Sequence, residues 1–290
     1  MLLELAVGDA YGAGFEYADT EFVERNNDGM AYRKHPRHET LPGQYTDDAQ
    51  MSLAIAEAIV SGESWTPENL AGRFVTAFHR DPHVGYAQGF YHFLRGTRSG
   101  AEFVANIRPD SDKSGAAMRA APIGVFASVH EVISRSTIQA KLTHDTPDGI
   151  AAANAAALMT HYCLYQIGPK AELGRFLEQH VPGYRWSEPY LGRVRSKGWM
   201  SVRAALTALV HCDRMSDLLR QCIAFTGDVD TVATIALAAG SCSSEVEPDL
   251  STALMSGLEN GDYGRDYIVS LDERLMRLKR QNIHAASPTP

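Results

Sequence analysis

Residues 147–167 read Pro-Asp-Gly-Ile-Ala-Ala-Ala-Asn-Ala-Ala-Ala-Leu-Met-Thr-His-Tyr-Cys-Leu-Tyr-Gln-Ile. A run of this kind has few options other than a helix. Thr146 stands where a cap belongs and Pro147 at a first helical position. Ile150, Ala153, Ala157, Leu158, His161, Leu164 and Tyr165 then recur near helical spacing. Gly168-Pro169 ends the run. The same start signal at Thr66-Pro67-Glu68 opens a helix to about Arg80, and Ser216-Asp217 starts another towards Ile223. Ile268, Leu271, Leu275 and Leu278 form one stripe near the C-terminus. Strand signals are scarce: there is no sustained period-2 alternation and no Asn-Gly or Asp-Gly hairpin. The expectation is an all-α chain, a compact single-domain orthogonal bundle of about a dozen helices, closely packed because so many faces carry Ala and Gly.

Three stretches lack helical pattern: 14–45, 106–115 and 181–199. Loops of this length in a compact domain are often functional. No repeat, low-complexity linker or domain boundary stands out, so residues 1–281 read as one domain and 282–290, ending Ser-Pro-Thr-Pro, as a disordered tail.

The 290 residues carry 27 Lys and Arg against 35 Asp and Glu, a net charge of -8. That argues against a general nucleic-acid binder, though a local basic groove stays compatible with it. No run reaches the roughly 18 apolar residues of a membrane span, and the N-terminus makes a poor signal peptide. Cys163, Cys212, Cys222 and Cys242 are widely spaced, with no Cys-x-x-Cys pair, and read as buried free thiols of a cytoplasmic protein. The oligomeric expectation is a monomer.

Two acidic clusters carry the chemistry. Thr46-Asp47-Asp48 precedes an apolar helical pattern, and Asp228-Val229-Asp230-Thr231 precedes another. Either cluster alone is an ordinary helix start, with carboxylates near free amides and the positive dipole end. Two of them converging would repel unless cations neutralised them. Hard oxygen donors without His or Cys point to magnesium, manganese or calcium rather than zinc. A third element, Gly8-Asp9-Ala10-Tyr11-Gly12-Ala13-Gly14-Phe15-Glu16, permits close backbone approach or positive φ. His35-Pro36-Arg37-His38 reads as a solvated charged loop. Tyr86, Phe90, Tyr91 and Phe93 read as core packing ahead of a base-stacking platform.

In this order, Gly8-Asp9-Ala10-x-Gly12 with Glu16, Tyr45-Thr46-Asp47-Asp48-Ala49-Gln50-Met51, Ser114-Gly115-Ala116-Ala117-Met118-Arg119, Thr143-His144 and Gly227-Asp228-Val229-Asp230-Thr231 resemble the ADP-ribosylglycohydrolase family. That family includes the dinitrogenase reductase-activating glycohydrolases and the ADP-ribosyl-acceptor hydrolases. The resemblance covers roughly residues 5–260. It implies an all-α fold with two magnesium or manganese ions in a central cleft. It also implies cleavage of the bond between ADP-ribose and a protein or other acceptor. By resemblance, Thr46, Asp47, Asp48, Asp228, Asp230 and Thr231 are metal ligands, and Glu16 matches a glutamate beside the metals; the catalytic carboxylate that handles the water is Asp47 or Asp48, or Glu16 instead. Ser111, Asp112, Ser114 and Gly115 match the loop around the diphosphate and ribose. His144 matches a substrate-contacting histidine, and Gly198-Trp199 a nucleotide contact. Two departures stand out. Lys113-Ser114-Gly115 replaces Gly-Asn-Gly, and Thr226 and Val229 replace Gly and Thr in the last motif. The alternative is a non-catalytic relative that binds, occludes a toxin or serves structurally; intact metal ligands favour catalysis.

Overall fold

The computed structural model describes the backbone of residues 1–286 and the side chains to Gln281. Its α-helices are α1 (Leu2–Ala13), α2 (Thr20–Asn26), α3 (Asp47–Ser61), α4 (Pro67–Arg80), α5 (Gln88–Gly96), α6 (Gly100–Asn106), α7 (Gly115–Met118) and α8 (Val129–Lys141). They continue as α9 (Pro147–Leu164), α10 (Leu173–His180), α11 (Gly198–His211), α12 (Met215–Ala224), α13 (Val229–Gly240), α14 (Thr252–Gly257) and α15 (Arg265–Ala286). Among the described residues the only β pairings are isolated bridges. The fold is therefore all-α, as its periodicity requires. None of the described helices is long and apolar enough to cross a membrane.

The alanine-rich run is the axis of the bundle. Thr146 caps α9 by accepting from the Gly149 amide at 3.1 Å. Every residue of α9 from Ala151 to Leu164 is buried, as a helix apolar on all faces must be. It packs against α7, α8, α10, α11, α13 and the short 3-10 turn Ala121–Val125. α13 is likewise buried throughout and lies against α1. A Cβ placed on Gly8 would come within 2.7 Å of the Ala233 carbonyl oxygen, and one on Gly12 would overlap the Asp230 backbone. These glycines serve backbone approach, and that approach brings the end of α1 onto the start of α13.

Thr66 and Pro67 open α4, which ends at Arg80. α12 begins at Met215, and Ser216 does not cap it: its amide and hydroxyl both go to Asp249, at 2.8 and 2.6 Å. α2 lies inside the expected loop 14–45; only Val23 of its seven residues is buried, too little apolar pattern to announce a helix. Ile268, Leu271 and Leu275 form the buried stripe of α15. That helix continues past Gln281 to Ala286, so the expected disordered tail starts within it; residues 287–290 lie outside the described residues. All four cysteines are free.

Candidate functional site

The acidic start of α3 is held from behind by a buried carboxylate on α1. Asp9 is fully buried and accepts three hydrogen bonds: from the Thr46 amide at 2.8 Å, the Thr46 hydroxyl at 2.7 Å and the Ala49 amide at 2.8 Å. It thereby takes up free donors that the first turn of any helix leaves. Thr46 is the cap residue, and its hydroxyl also accepts from the Asp48 amide at 3.4 Å. From the front, the Asp47 amide donates to the Val84 carbonyl at 3.1 Å. Gly85, at φ +102, lies so close to Thr46 and Asp47 that a Cβ there would collide with both.

The start of α13 is fixed by an extended segment that sequence periodicity did not reveal. Val194 donates to the Thr226 carbonyl at 3.0 Å and accepts from the Asp228 amide at 3.2 Å. Thr226 sits at φ 59 and Tyr17 at φ 49, a left-handed backbone unusual for a β-branched or bulky residue. Tyr17 donates from its amide to the Gly227 carbonyl at 2.8 Å, which ties the residue after Glu16 to the second acidic cluster. His35 steadies the same corner. It is buried, takes the Arg37 and His38 amides on Nδ1 at 3.0 and 2.8 Å, and donates from Nε2 to the Glu16 carbonyl at 2.8 Å. The expectation of a solvated His-Pro-Arg-His loop thus fails at His35.

These elements gather Glu16, Asp228 and Asp230 so that one carboxylate oxygen from each lies within 4.8 Å of the others. Asp47, Asp48 and Thr231 line the same cavity of about 600 Å³. Thr46, beside Asp47, is not among the lining residues, and its hydroxyl is held by Asp9. Burial, then the charges of Asp228 and Asp9, pushes the Glu16 carboxyl up to about 7. Burial and mutual repulsion raise Asp47, Asp48 and Asp230 well above the usual carboxylate range. Burial also raises Asp228, opposed by hydroxyls of Ser114, Ser201 and Thr231. Among the described residues, the buried Asp48 Oδ2 and Asp230 Oδ1 have no hydrogen-bond partner. Orphaned buried carboxylate oxygens in an all-oxygen donor set are what a hard divalent cation fits.

The 106–115 loop forms another wall, contributing Asn106, Ile107, Arg108, Ser111, Lys113, Ser114 and Gly115. Gly115 faces His144: a Cβ on it would lie 3.1 Å from the imidazole Cε1. The fully buried Arg119 anchors this wall, donating to Gln139 Oε1 at 2.7 Å and to the Thr143 hydroxyl at 2.8 Å. The Thr143 hydroxyl lies 2.7 Å from His144 Nδ1, and either group can donate in that bond. Among the described residues, the buried His144 Nε2 has no hydrogen-bond partner. The aromatic run divides. Tyr86 is buried, while Phe90 and Phe93 are half-buried and line the cavity.

Two expected substrate contacts fall outside the cavity lining. Asp112 is paired with Lys197, and Trp199 packs in the first turn of α11 against the core. The residues that sequence reasoning passed over are Asp9 as a support, His35, and the segment around Val194 with Ser196 in the wall. Only Asp9 had a signal, its place in the Gly-Asp-Ala motif.

Known proteins of one family resemble this chain over most of its length. A family model described as ADP-ribosylglycohydrolase matches residues 1–284. The chain is 25% identical over 294 residues to "ADP-ribosylhydrolase ARH3" of Xenopus tropicalis, covering 82% of this chain and 84% of that protein. It is 26% identical over 249 residues to "ADP-ribosyl-[dinitrogen reductase] glycohydrolase" of Rhodospirillum rubrum, covering 81% of each. A solved structure titled "ADP-ribosylglycohydrolase-related protein complex" shares the fold with a TM-score of 0.72 at 20% identity, covering 96% of both chains. The acidic motifs, the all-α frame that brings them together and the match along nearly the whole chain lead to one conclusion: this chain belongs to the ADP-ribosylglycohydrolase family.

Proposed function

We propose that this protein hydrolyses the glycosidic bond between ADP-ribose and an acceptor, with magnesium or manganese ions at its carboxylate cluster. The observation that carries the reading is the meeting of Glu16, Asp228 and Asp230 at a cavity also lined by Asp47, Asp48 and the 106–115 loop. The relatives named as ADP-ribosyl hydrolases support it.

Asp47, Asp48, Asp228 and Asp230, with Thr46 and Thr231, would hold two cations. When bound, these neutralise the cluster and lend Lewis acidity to oxygens at the distal ribose. The chain's own residues do the rest. Glu16 is half-buried at the cluster's edge, where a carboxylate can take or return a proton. It serves the attacking water or the leaving group, with Asp47 orienting the water. His144 presents its Nε2 to a substrate oxygen. Ser111, Ser114 and the Gly115 backbone receive the diphosphate and ribose. Holding the ribose against fixed groups saves the entropy of alignment, and the bond breaks with oxocarbenium character.

The test is product identity. Incubation with an ADP-ribosylated protein should release intact ADP-ribose, and Asp47→Asn should slow release at least 100-fold. Appearance of AMP or inorganic phosphate instead would assign a phosphoesterase.

A further inference from the structure

We propose that Arg37, Arg193 and Arg195 form a docking edge for a phosphate backbone on the acceptor side of the cavity, so that the preferred conjugate carries ADP-ribose on a nucleic-acid strand. The inference rests on the hydrolase reading and extends it to the acceptor.

The chain as a whole is acidic, yet Leu191-Gly192-Arg193-Val194-Arg195-Ser196-Lys197 holds three cations and no carboxylate. Val194 is completely buried and its amide and carbonyl are bonded to Thr226 and Asp228. In extended chain, alternate residues share a face, so Arg193 and Arg195 both project away from Val194, and both are exposed. The chain bends at Ser196, which is in the cavity wall, while the three arginines stand outside the lining. The Arg193 guanidinium lies 5.8 Å from the Tyr17 ring, and Arg37 donates to the Tyr17 carbonyl. Tyr17 follows Glu16, so both guanidinia flank the carboxylate end of the site. Among the described residues, none of the three has a carboxylate within 4.0 Å; Lys197, by contrast, is engaged by Asp112.

Three arguments favour phosphates of an acceptor over the diphosphate of ADP-ribose itself. The scissile bond must lie at the carboxylate cluster, so what extends beyond Glu16 and Tyr17 is the acceptor. The loop proposed for the diphosphate has its own exposed cations in the cavity wall, Arg108 and Lys113. Planar guanidinia take phosphate oxygens in pairs, and two arginines whose Cα atoms are about 6.6 Å apart on an extended segment suit a flexible single strand. A cationic guanidinium acceptor would instead meet like charge along this edge.

The experiment uses the full chain and a fluorescein-labelled ten-nucleotide single strand, read by anisotropy at rising salt. Free ADP-ribose binding is measured alongside, as is turnover of ADP-ribosylated oligonucleotide and of arginine-ADP-ribosylated protein. Arg193→Glu/Arg195→Glu should weaken oligonucleotide binding at least tenfold and flatten the log–log salt slope by about 1.4, or about 0.7 per lost phosphate contact. Arg193→Lys/Arg195→Lys should restore most of the binding. ADP-ribose affinity should hold within about twofold, which also shows the variant is folded, while turnover of the oligonucleotide conjugate falls. The proposal is overturned if the wild-type protein shows no salt-dependent strand binding. It is equally overturned if ADP-ribose affinity falls with the glutamates, which would make these arginines diphosphate ligands, or if only the arginine-linked protein is hydrolysed. Arginine-dependent strand binding with no hydrolysis of either conjugate would uphold the docking edge and overturn the hydrolase reading instead.

Discussion

Asp9 and Thr46 are joined by two hydrogen bonds, from the Thr46 amide at 2.8 Å and its hydroxyl at 2.7 Å, across the interface of α1 and α3. A third, from the Ala49 amide, completes the set. The carboxylates facing the cavity are thus aimed by one that never reaches it. Asp9→Ala strands these buried donors and should cost about 3 kcal/mol or more of stability, since bonds to a charged acceptor count for more than neutral ones. Asp9→Asn keeps the shape but turns an amide hydrogen towards donors. It should fold and lose most of the thermal stabilisation that manganese gives the wild-type protein. Equal manganese-induced shifts in melting temperature for both proteins would deny Asp9 this role.

Thr226 holds a left-handed backbone of the kind that glycine adopts without strain. Such a conformation costs a β-branched residue about 1–3 kcal/mol, against roughly 0.5–1 kcal/mol of extra chain entropy for glycine. Thr226→Gly should therefore stabilise the chain by about 1 kcal/mol, seen as a raised urea midpoint with an unchanged slope. A lowered midpoint would mean that the threonine side chain more than offsets the strain.

Burial, then the nearby Arg119 charge, holds the His144 imidazole down to about 3. An unfolded histidine titrates near 6.5, so between these values the unfolded chain binds more protons than the folded one. Stability from this residue is then fully present above about pH 6.5 and is lost as pH falls towards 3. The slope contributed is at most about 1.4 kcal/mol per pH unit. Urea melts at pH 7, 6 and 5 should show the wild-type protein losing stability relative to His144→Gln as pH falls, the raised carboxyls of the site acting in the opposite sense in both proteins. Parallel pH dependences in the two proteins would place a charged His144 in the folded state.

How much of this was legible beforehand varied with the distance over which each feature acts. Thr66-Pro67 and Thr146-Pro147 mark true helix starts because capping is local. The two acidic clusters were legible as well, each being one helix end. Features that depend on distant partners were not. His35 reads as solvent-facing until the Glu16 carbonyl is placed on its ring. The Val194 segment is too short to show alternation, yet it fixes the second cluster through Thr226 and Asp228. The pairing of Asp112 with Lys197, which arrives from beyond α9, is a further long-range partnership of this kind.

The account stands most directly on cation dependence. Protein stripped with a chelator, with metal loss confirmed by elemental analysis, would be given an ADP-ribosylated substrate and followed for free ADP-ribose while manganese or magnesium is added back. The cluster of Glu16, Asp47, Asp48, Asp228 and Asp230 predicts no release from the stripped protein and saturable recovery with added cation. Full turnover in excess EDTA would contradict it.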